Sequence, residues 1–375
     1  MKDINTGSLI RIVVKALILF AVLNLIFAAL NPIPWIAKAG LYNTLIPGRL
    51  RLPYGENPPE SYNITLSRLE GMFAAHEISD GEKPSDEFRI LLLGDSAAWG
   101  WLLEPDQTLS ACINRQNLKT SDGKTIRLYN LGYPVLDATK DLLILDYGMA
   151  YQPDMVVWMV TLAALYPDEQ LFHEIVKAHP DEVRELITRY DLALDSEELP
   201  ESPDFLDRSI IGQRRELASW LKHQMYGVAW AVTGIDHRNP NFFKPVQQNL
   251  HGGTSMLDGT QVNIWQRDDL SLQALAAGLE MAENAGVEML FINEPIYISA
   301  GENSDLRYNF YYPRPAYDGY RELMNVIVTE KDWQYVDLWD AMSADLFTDS
   351  SLHLTPSATC EFAEILGAQI QAYAQ

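Results

Sequence analysis

Residues 88–100 read Phe88-Arg89-Ile90-Leu91-Leu92-Leu93-Gly94-Asp95-Ser96-Ala97-Ala98-Trp99-Gly100. The run Ile90 to Leu93 is apolar without alternation, the pattern of a strand buried on both faces of a parallel sheet. Gly94 ends the run, and Asp95 and Ser96 follow where the chain turns. Ser96 is thereby left at the carboxyl edge of the sheet, where open α/β folds bind their ligands. A serine there is a nucleophile when a base and an oxyanion site lie beside it. Taken alone, Gly-Asp-Ser is equally a common turn composition.

Four further strands are expected. Ile126 to Leu131 leads into Asn130-Leu131-Gly132-Tyr133-Pro134 and a helix from Ala138 to Ala150. Met155 to Val160 is the third strand. Val287 to Ile292 is the fourth, ending in Asn293-Glu294-Pro295, and Gln334 to Asp337 is the fifth. After it comes Phe347-Thr348-Asp349-Ser350-Ser351-Leu352-His353-Leu354-Thr355-Pro356. Thr355 is a good N-cap and Pro356 suits the first helical position, so a last helix runs toward Ala374. His353 stands in the loop just before it, beside Asp349. Trp99 and Trp101 line an acyl pocket or pack as core and rim. Neither His76-Glu77 nor His173-Glu174 has a second histidine four residues after the first, so no zinc-protease pair is completed.

Gly94-Asp95-Ser96 at a strand end, Gly100 four residues after the serine, and His353 near the C-terminus together resemble the SGNH/GDSL hydrolase family. The resemblance spans roughly Phe88 to Gln375, with a long interruption. It implies an α/β fold of three layers around a parallel five-stranded sheet in the flavodoxin-like order 2-1-3-4-5. It also implies a catalytic set of Ser96, His353 and Asp349, with the N–H groups of Ser96 and Gly132 as oxyanion donors. Read from the residues alone, Gly132 is equally a tight turn. The family's third block carries an asparagine donor, but this chain has Ala163 there, which has no side-chain donor. Asn293, at the end of the neighbouring strand, is expected to replace it, with Thr161 as the competing donor. The family places its aspartate three residues before the histidine, where this chain has Ser350, so Asp349 is expected to reach the imidazole from four residues away.

The implied activity is that of a serine esterase or O-acyltransferase acting on an acyl ester, including one of a carbohydrate or envelope polymer. Membrane-anchored relatives that acylate such polymers keep transfer alongside hydrolysis. The rival reading is a catalytically inactive binding protein of the cell envelope on the same scaffold. No cofactor and no metal are expected. Whether a partner membrane protein delivers an acyl donor is left open.

The chain has 375 residues, 47% hydrophobic and 21% charged, the composition of a folded protein with a sizeable core. A net charge of -23 argues against a generally basic surface for nucleic acid or anionic lipid. Cys112 and Cys360 read as buried free thiols, since two cysteines make no disulfide framework. Ile12 to Leu30 is almost wholly apolar. As a helix it is about 28 Å long, close to the hydrocarbon thickness of a bilayer. With Lys2, Arg11 and Lys15 before it, the segment is expected to be an uncleaved anchor with the catalytic domain extracytoplasmic. A cleavable signal peptide is the main rival. Lys38, Arg49 and Arg51 on the far side weaken the charge bias.

The expected organisation is a transmembrane anchor over 1–35, a connector packed on the main domain over 36–87, and the hydrolase-like domain over 88–375. Tyr42 suits a membrane interface, Asn43 to Pro59 reads as connector, and Ser61 to His76 as helix. An insertion, 166–262, interrupts the α/β rhythm. Its first part, Tyr166 to Arg208, has 13 Asp/Glu against 4 Lys/Arg. Leu217, Trp220, Leu221, Met225 and Val228 then fall at helical spacing, predicting a helix with one buried face. Asn239 to Gly259 reads as loop. The insertion caps the site or elaborates the surface. Asn303, Arg307, Tyr308, Tyr311, Tyr312 and Arg314 form an aromatic loop that faces the site or covers the sheet.

Overall fold

Five strands pair in parallel: β1 (Glu87–Leu93), β2 (Thr125–Asn130), β3 (Met155–Val160), β4 (Glu288–Asn293) and β5 (Tyr335–Asp337). Their order is β2-β1-β3-β4-β5, the order that the resemblance implies. The computed structural model describes residues 6–37, 67–233, 256–257, 260–261 and 265–374. The expectations for Lys2, for 38–66 and for most of Asn239 to Gly259 lie outside the described residues.

The helices used below are α1 (Thr6–Leu30), α2 (Ser96–Trp99), α3 (Leu109–Asn114), α4 (Ala138–Gly148), α5 (Pro180–Tyr190), α6 (Arg214–Thr233), α7 (Leu272–Ala285), α8 (Arg314–Lys331) and α9 (Pro356–Tyr373). Alternate residues of each strand feed two apolar layers, as the two-residue period of a strand requires. Leu91, Leu93, Val156, Trp158 and Phe291 pack against α4, α7 and α8. Ile90, Leu92, Val157, Met159 and Ile292 pack against α3 and α9. Covered on both faces, β1 and β3 are buried along their whole lengths, which is why Ile90 to Leu93 and all of β3 show no polar alternation.

Part of the segment preceding β1 belongs to this packing. Residues Leu69–Ala74 form a short helix whose Phe73 ring stacks on Tyr147 and Tyr151. His76 Nε2 meets the Asn130 carbonyl at 2.9 Å. In α1 the apolar side chains from Leu9 to Leu25 are largely exposed, while Asn24 near its end is buried. Among the described residues, α1 is the one helix long and apolar enough to cross a membrane.

Two expectations are corrected. Cys112 and Cys360 are joined in a disulfide, with Cα atoms 5.2 Å apart across a sequence separation of 248. The reason is tertiary: α3 and α9 lie side by side on one face of the sheet and bring the two cysteines together. The α6 helix forms where its periodicity indicates, but its buried face is not the expected one. Leu221 and Met225 are exposed, while Leu217 and Trp220 pack inward. A disulfide closing so long a loop is expected to contribute about 2–4 kcal/mol. Urea unfolding of Cys112→Ser under oxidising conditions should show a loss of that order. Mass mapping of the unreduced chain should recover the linked peptides.

Candidate active site

The turn that carries Ser96 is built by its neighbours. Gly94 has φ +145°, and a side chain there would press on Ala98 and Met159 at 3.0–3.1 Å. Asp95 caps the single turn of α2, its carboxylate accepting from Ala97 N at 2.7 Å. The chain therefore reverses at the strand end and leaves Ser96 half-buried at the carboxyl edge.

Opposite it, the loop before α9 places His353. Thr355 caps α9 and Pro356 starts it, as the sequence indicates. Ser96 Oγ lies 2.8 Å from His353 Nε2, and His353 Nδ1 lies 3.0 Å from Asp349 Oδ1. The Thr348 hydroxyl lies 3.0 Å from both Asp349 Oδ1 and the His353 carbonyl, which share its one proton as acceptors. Ser350, standing where the family carries its aspartate, accepts from the backbone N–H groups of Leu352 and His353. These bonds close the loop tightly enough for a carboxylate four residues back to reach the ring. Burial pushes the Asp349 carboxyl upward, but its hydrogen bond to His353, the charge of that ring and the Thr348 hydroxyl outweigh it. The net displacement is below the usual carboxylate value.

A buried lysine lies behind the serine. Lys140 is fully buried in the first turn of α4. Its ammonium donates to the carbonyls of Gly94 (3.2 Å), Tyr133 (2.6 Å) and Val135 (2.9 Å) and pairs with Asp141 at 2.9 Å. Four buried carboxyls share this cation. Burial raises Asp137 to about 7 and Asp141 to about 6, with the nearby lysine opposing both. Burial also raises Asp95, and it raises Glu294 far above its ordinary value, with the Asp95 and Asp141 charges adding to the rise at Glu294. The only trace of Lys140 in the sequence is a Lys-Asp pair at the start of a helix whose next turn is wholly apolar.

The oxyanion side differs from expectation. Gly132 is required by close packing, since a Cβ would stand 2.5 Å from Trp99 N. Its own N–H donates to Asn130 Oδ1 at 3.1 Å. Asn293 is fully buried, its amide donating to Asp337 Oδ1 at 2.8 Å and its carbonyl accepting from the Tyr317 hydroxyl at 3.0 Å. The expectation that Asn293 offers its amide above Ser96 is therefore corrected: two neighbouring elements claim it. Thr161 is also fully buried, 3.4 Å from the Tyr317 hydroxyl. Ala163 is buried and brings no donor in the asparagine's place.

A small cavity of about 20 Å³ adjoins the His353 ring, walled by Ala97, Trp101, Met159, Glu294 and Leu352. That is room for about one water-sized group. The Trp101 ring sits 6.0 Å from the His353 ring, so this tryptophan reaches the edge that carries Ser96 and His353. Glu294 Oε2 has no hydrogen-bond partner on the buried side of this cavity. The aromatic loop covers the sheet instead: Tyr308 and Tyr312 are buried against Tyr317.

Removing the Asn293 side chain takes the amide donor from Asp337 Oδ1 and the 3.0 Å acceptor from the Tyr317 hydroxyl. Asn293→Ala should cost about 1–3 kcal/mol of stability. Measured in urea and by ester turnover together, it should move the unfolding midpoint and leave the turnover of folded protein nearly unchanged.

No family model matches the chain, and no curated protein does. Solved structures do match, at low sequence identity. A carbohydrate acetylesterase from Sinorhizobium meliloti is 11% identical at TM-score 0.35, covering 76% of this chain and 99% of that one. A lipase/acylhydrolase from Enterococcus faecalis is 13% identical at TM-score 0.35, covering 76% and 97%. An aryl esterase from M. smegmatis is 11% identical at TM-score 0.33, covering 76% and 98%. Likeness of this degree leaves the chemistry to be read from the side chains around Ser96.

Proposed function

We propose that the chain is a serine esterase or O-acyltransferase of the SGNH/GDSL type, held to a membrane by α1 with its catalytic domain on the extracytoplasmic side. The observation that carries the reading is the unbroken relay from Ser96 Oγ through His353 to Asp349, at 2.8 and 3.0 Å. In this reading Ser96 attacks an ester carbonyl while His353 Nε2 takes its proton. Asp349 keeps the other ring nitrogen protonated and stabilises the imidazolium. The tetrahedral intermediate collapses as His353 returns the proton to the leaving alcohol. The acyl group then passes from Ser96 to water, giving hydrolysis, or to a hydroxyl of a sugar or polymer, giving transfer. The cavity beside His353 suits a methyl-sized acyl substituent better than a long chain.

The extracytoplasmic placement is supported by the Cys112–Cys360 disulfide, a bond that persists in oxidising compartments and is rare in the cytosol. The second reading, a binding protein without catalysis, is favoured by one set of observations. The Gly132 N–H and the Asn293 amide are both engaged inside the protein, and Ala163 adds no donor. Loss of one oxyanion donor typically costs about 10²–10³ in rate, so a slow enzyme is the form in which the first reading survives.

Short-chain p-nitrophenyl esters and acetylated sugars test the two. Ser96→Ala and His353→Ala should each abolish turnover with unfolding midpoints unchanged. Asp349→Asn should cost less than His353→Ala and still be large. Turnover by Ser96→Ala equal to that of the parent chain would reject the catalytic reading.

A further inference from the structure

The α6 helix and the loop before it present an apolar surface that the described residues leave uncovered. On α6, Ala218, Leu221, Met225, Ala229 and Val232 are exposed at spacings of three, four, four and three, which is one helical stripe. Leu221 is 53%, Met225 67% and Val232 76% exposed. Phe205, Leu206 and Ile211 extend the surface at 49%, 67% and 50%. The adjacent face of α6 is the one that packs, through Leu217 and Trp220, with Gln224 and Gly227 buried on it. Soluble surfaces seldom leave so many large apolar side chains together without something that covers them.

The neighbour of this surface says what the cover is. The backbone N–H of Ile211 donates to Asn24 Oδ1 at 3.1 Å, and Asn24 Nδ2 donates to the Phe20 carbonyl at 2.9 Å. Asn24 is only 8% exposed, in contrast to the apolar residues around it on α1. It stands six residues before the end of α1, so Ile211 lies about 9 Å along the axis from that end. Interfacial helices bury their apolar faces about 5–10 Å into the boundary between headgroups and acyl chains. The charges agree. Residues 205–233 carry Arg208, Arg214, Arg215 and Lys222 against Asp207 and Glu216, a cationic excess in a chain of net charge -23. Arg214, Arg215 and Lys222 are exposed. Cations flanking an apolar stripe suit a surface of anionic phospholipid.

We infer that the insertion is a second membrane contact, with α6 and the 205–211 loop lying in the interface of the same bilayer that α1 crosses. The inference rests on the reading of α1 as a membrane span. The span and the interfacial stripe together hold the catalytic domain against the membrane at two points, where one helix alone would leave it free to swing.

The test uses the full chain reconstituted in vesicles of phosphatidylethanolamine and phosphatidylglycerol. p-Benzoylphenylalanine replaces Leu221, Met225 or, as control, Val326, which is exposed on α8. All three positions are exposed, so the fold tolerates the change. After illumination, mass mapping should find phospholipid adducts at 221 and 225 and none at 326. A chain that floats with the vesicles but gives no lipid adduct at 221 and 225, or gives adducts to a second protein chain there, overturns the interfacial contact alone. A chain that does not float with the vesicles overturns the span and the contact together.

Discussion

The buried ammonium of Lys140 is the interaction on which the sheet edge carrying Ser96 depends. It gathers the carbonyls of Gly94, Tyr133 and Val135, which belong to the loops after β1 and β2. Those loops are the two that frame Ser96, and no apolar contact aligns three carbonyls on one point. Burying a charge without partners is strongly unfavourable, so the cation is tolerated only because four acceptors meet it. The same arithmetic governs the acids around it. One cation cannot hold Asp95, Asp137, Asp141 and Glu294 all ionised in a dry site, and burial accordingly raises each of them. Glu294, with its unpartnered oxygen, is thus held toward the neutral acid at the wall of the cavity.

The second constraint is the short loop before α9. Thr348, Ser350 and Thr355 each satisfy backbone groups within a few residues, so the loop has little freedom. His353 is fixed toward Ser96 by that loop, and Asp349 is brought to its far side although it stands one residue earlier than the family's spacing. Ser350 provides hydrogen bonds to the backbone where the family would have a carboxylate. The displaced aspartate is therefore an altered loop closure, with the ring contact retained.

Much of this was legible in the sequence because it depends on local pattern. Unbroken apolar runs marked β1 and β3, Gly94 marked the turn, and Thr355-Pro356 marked the start of α9. The strand order came with the resemblance and agrees with the observed pairing. What the sequence could not show is what depends on partners far along the chain. Asn293 looked free at a strand end, yet Asp337 and Tyr317, from β5 and α8, claim both ends of its amide. Cys112 and Cys360 looked like two isolated thiols until α3 and α9 were placed side by side. Lys140 gave no sign that its charge points into the protein. The periodicity of α6 was visible, but periodicity alone does not say which face meets the core.

In the proposed function Ser96 is a nucleophile made reactive by His353. Treating the full chain with a fluorophosphonate and mapping the modified peptide measures that directly. One adduct is expected, on Ser96, and it should be lost in His353→Ala. An unmodified Ser96, or equal labelling with and without the His353 side chain, would contradict it.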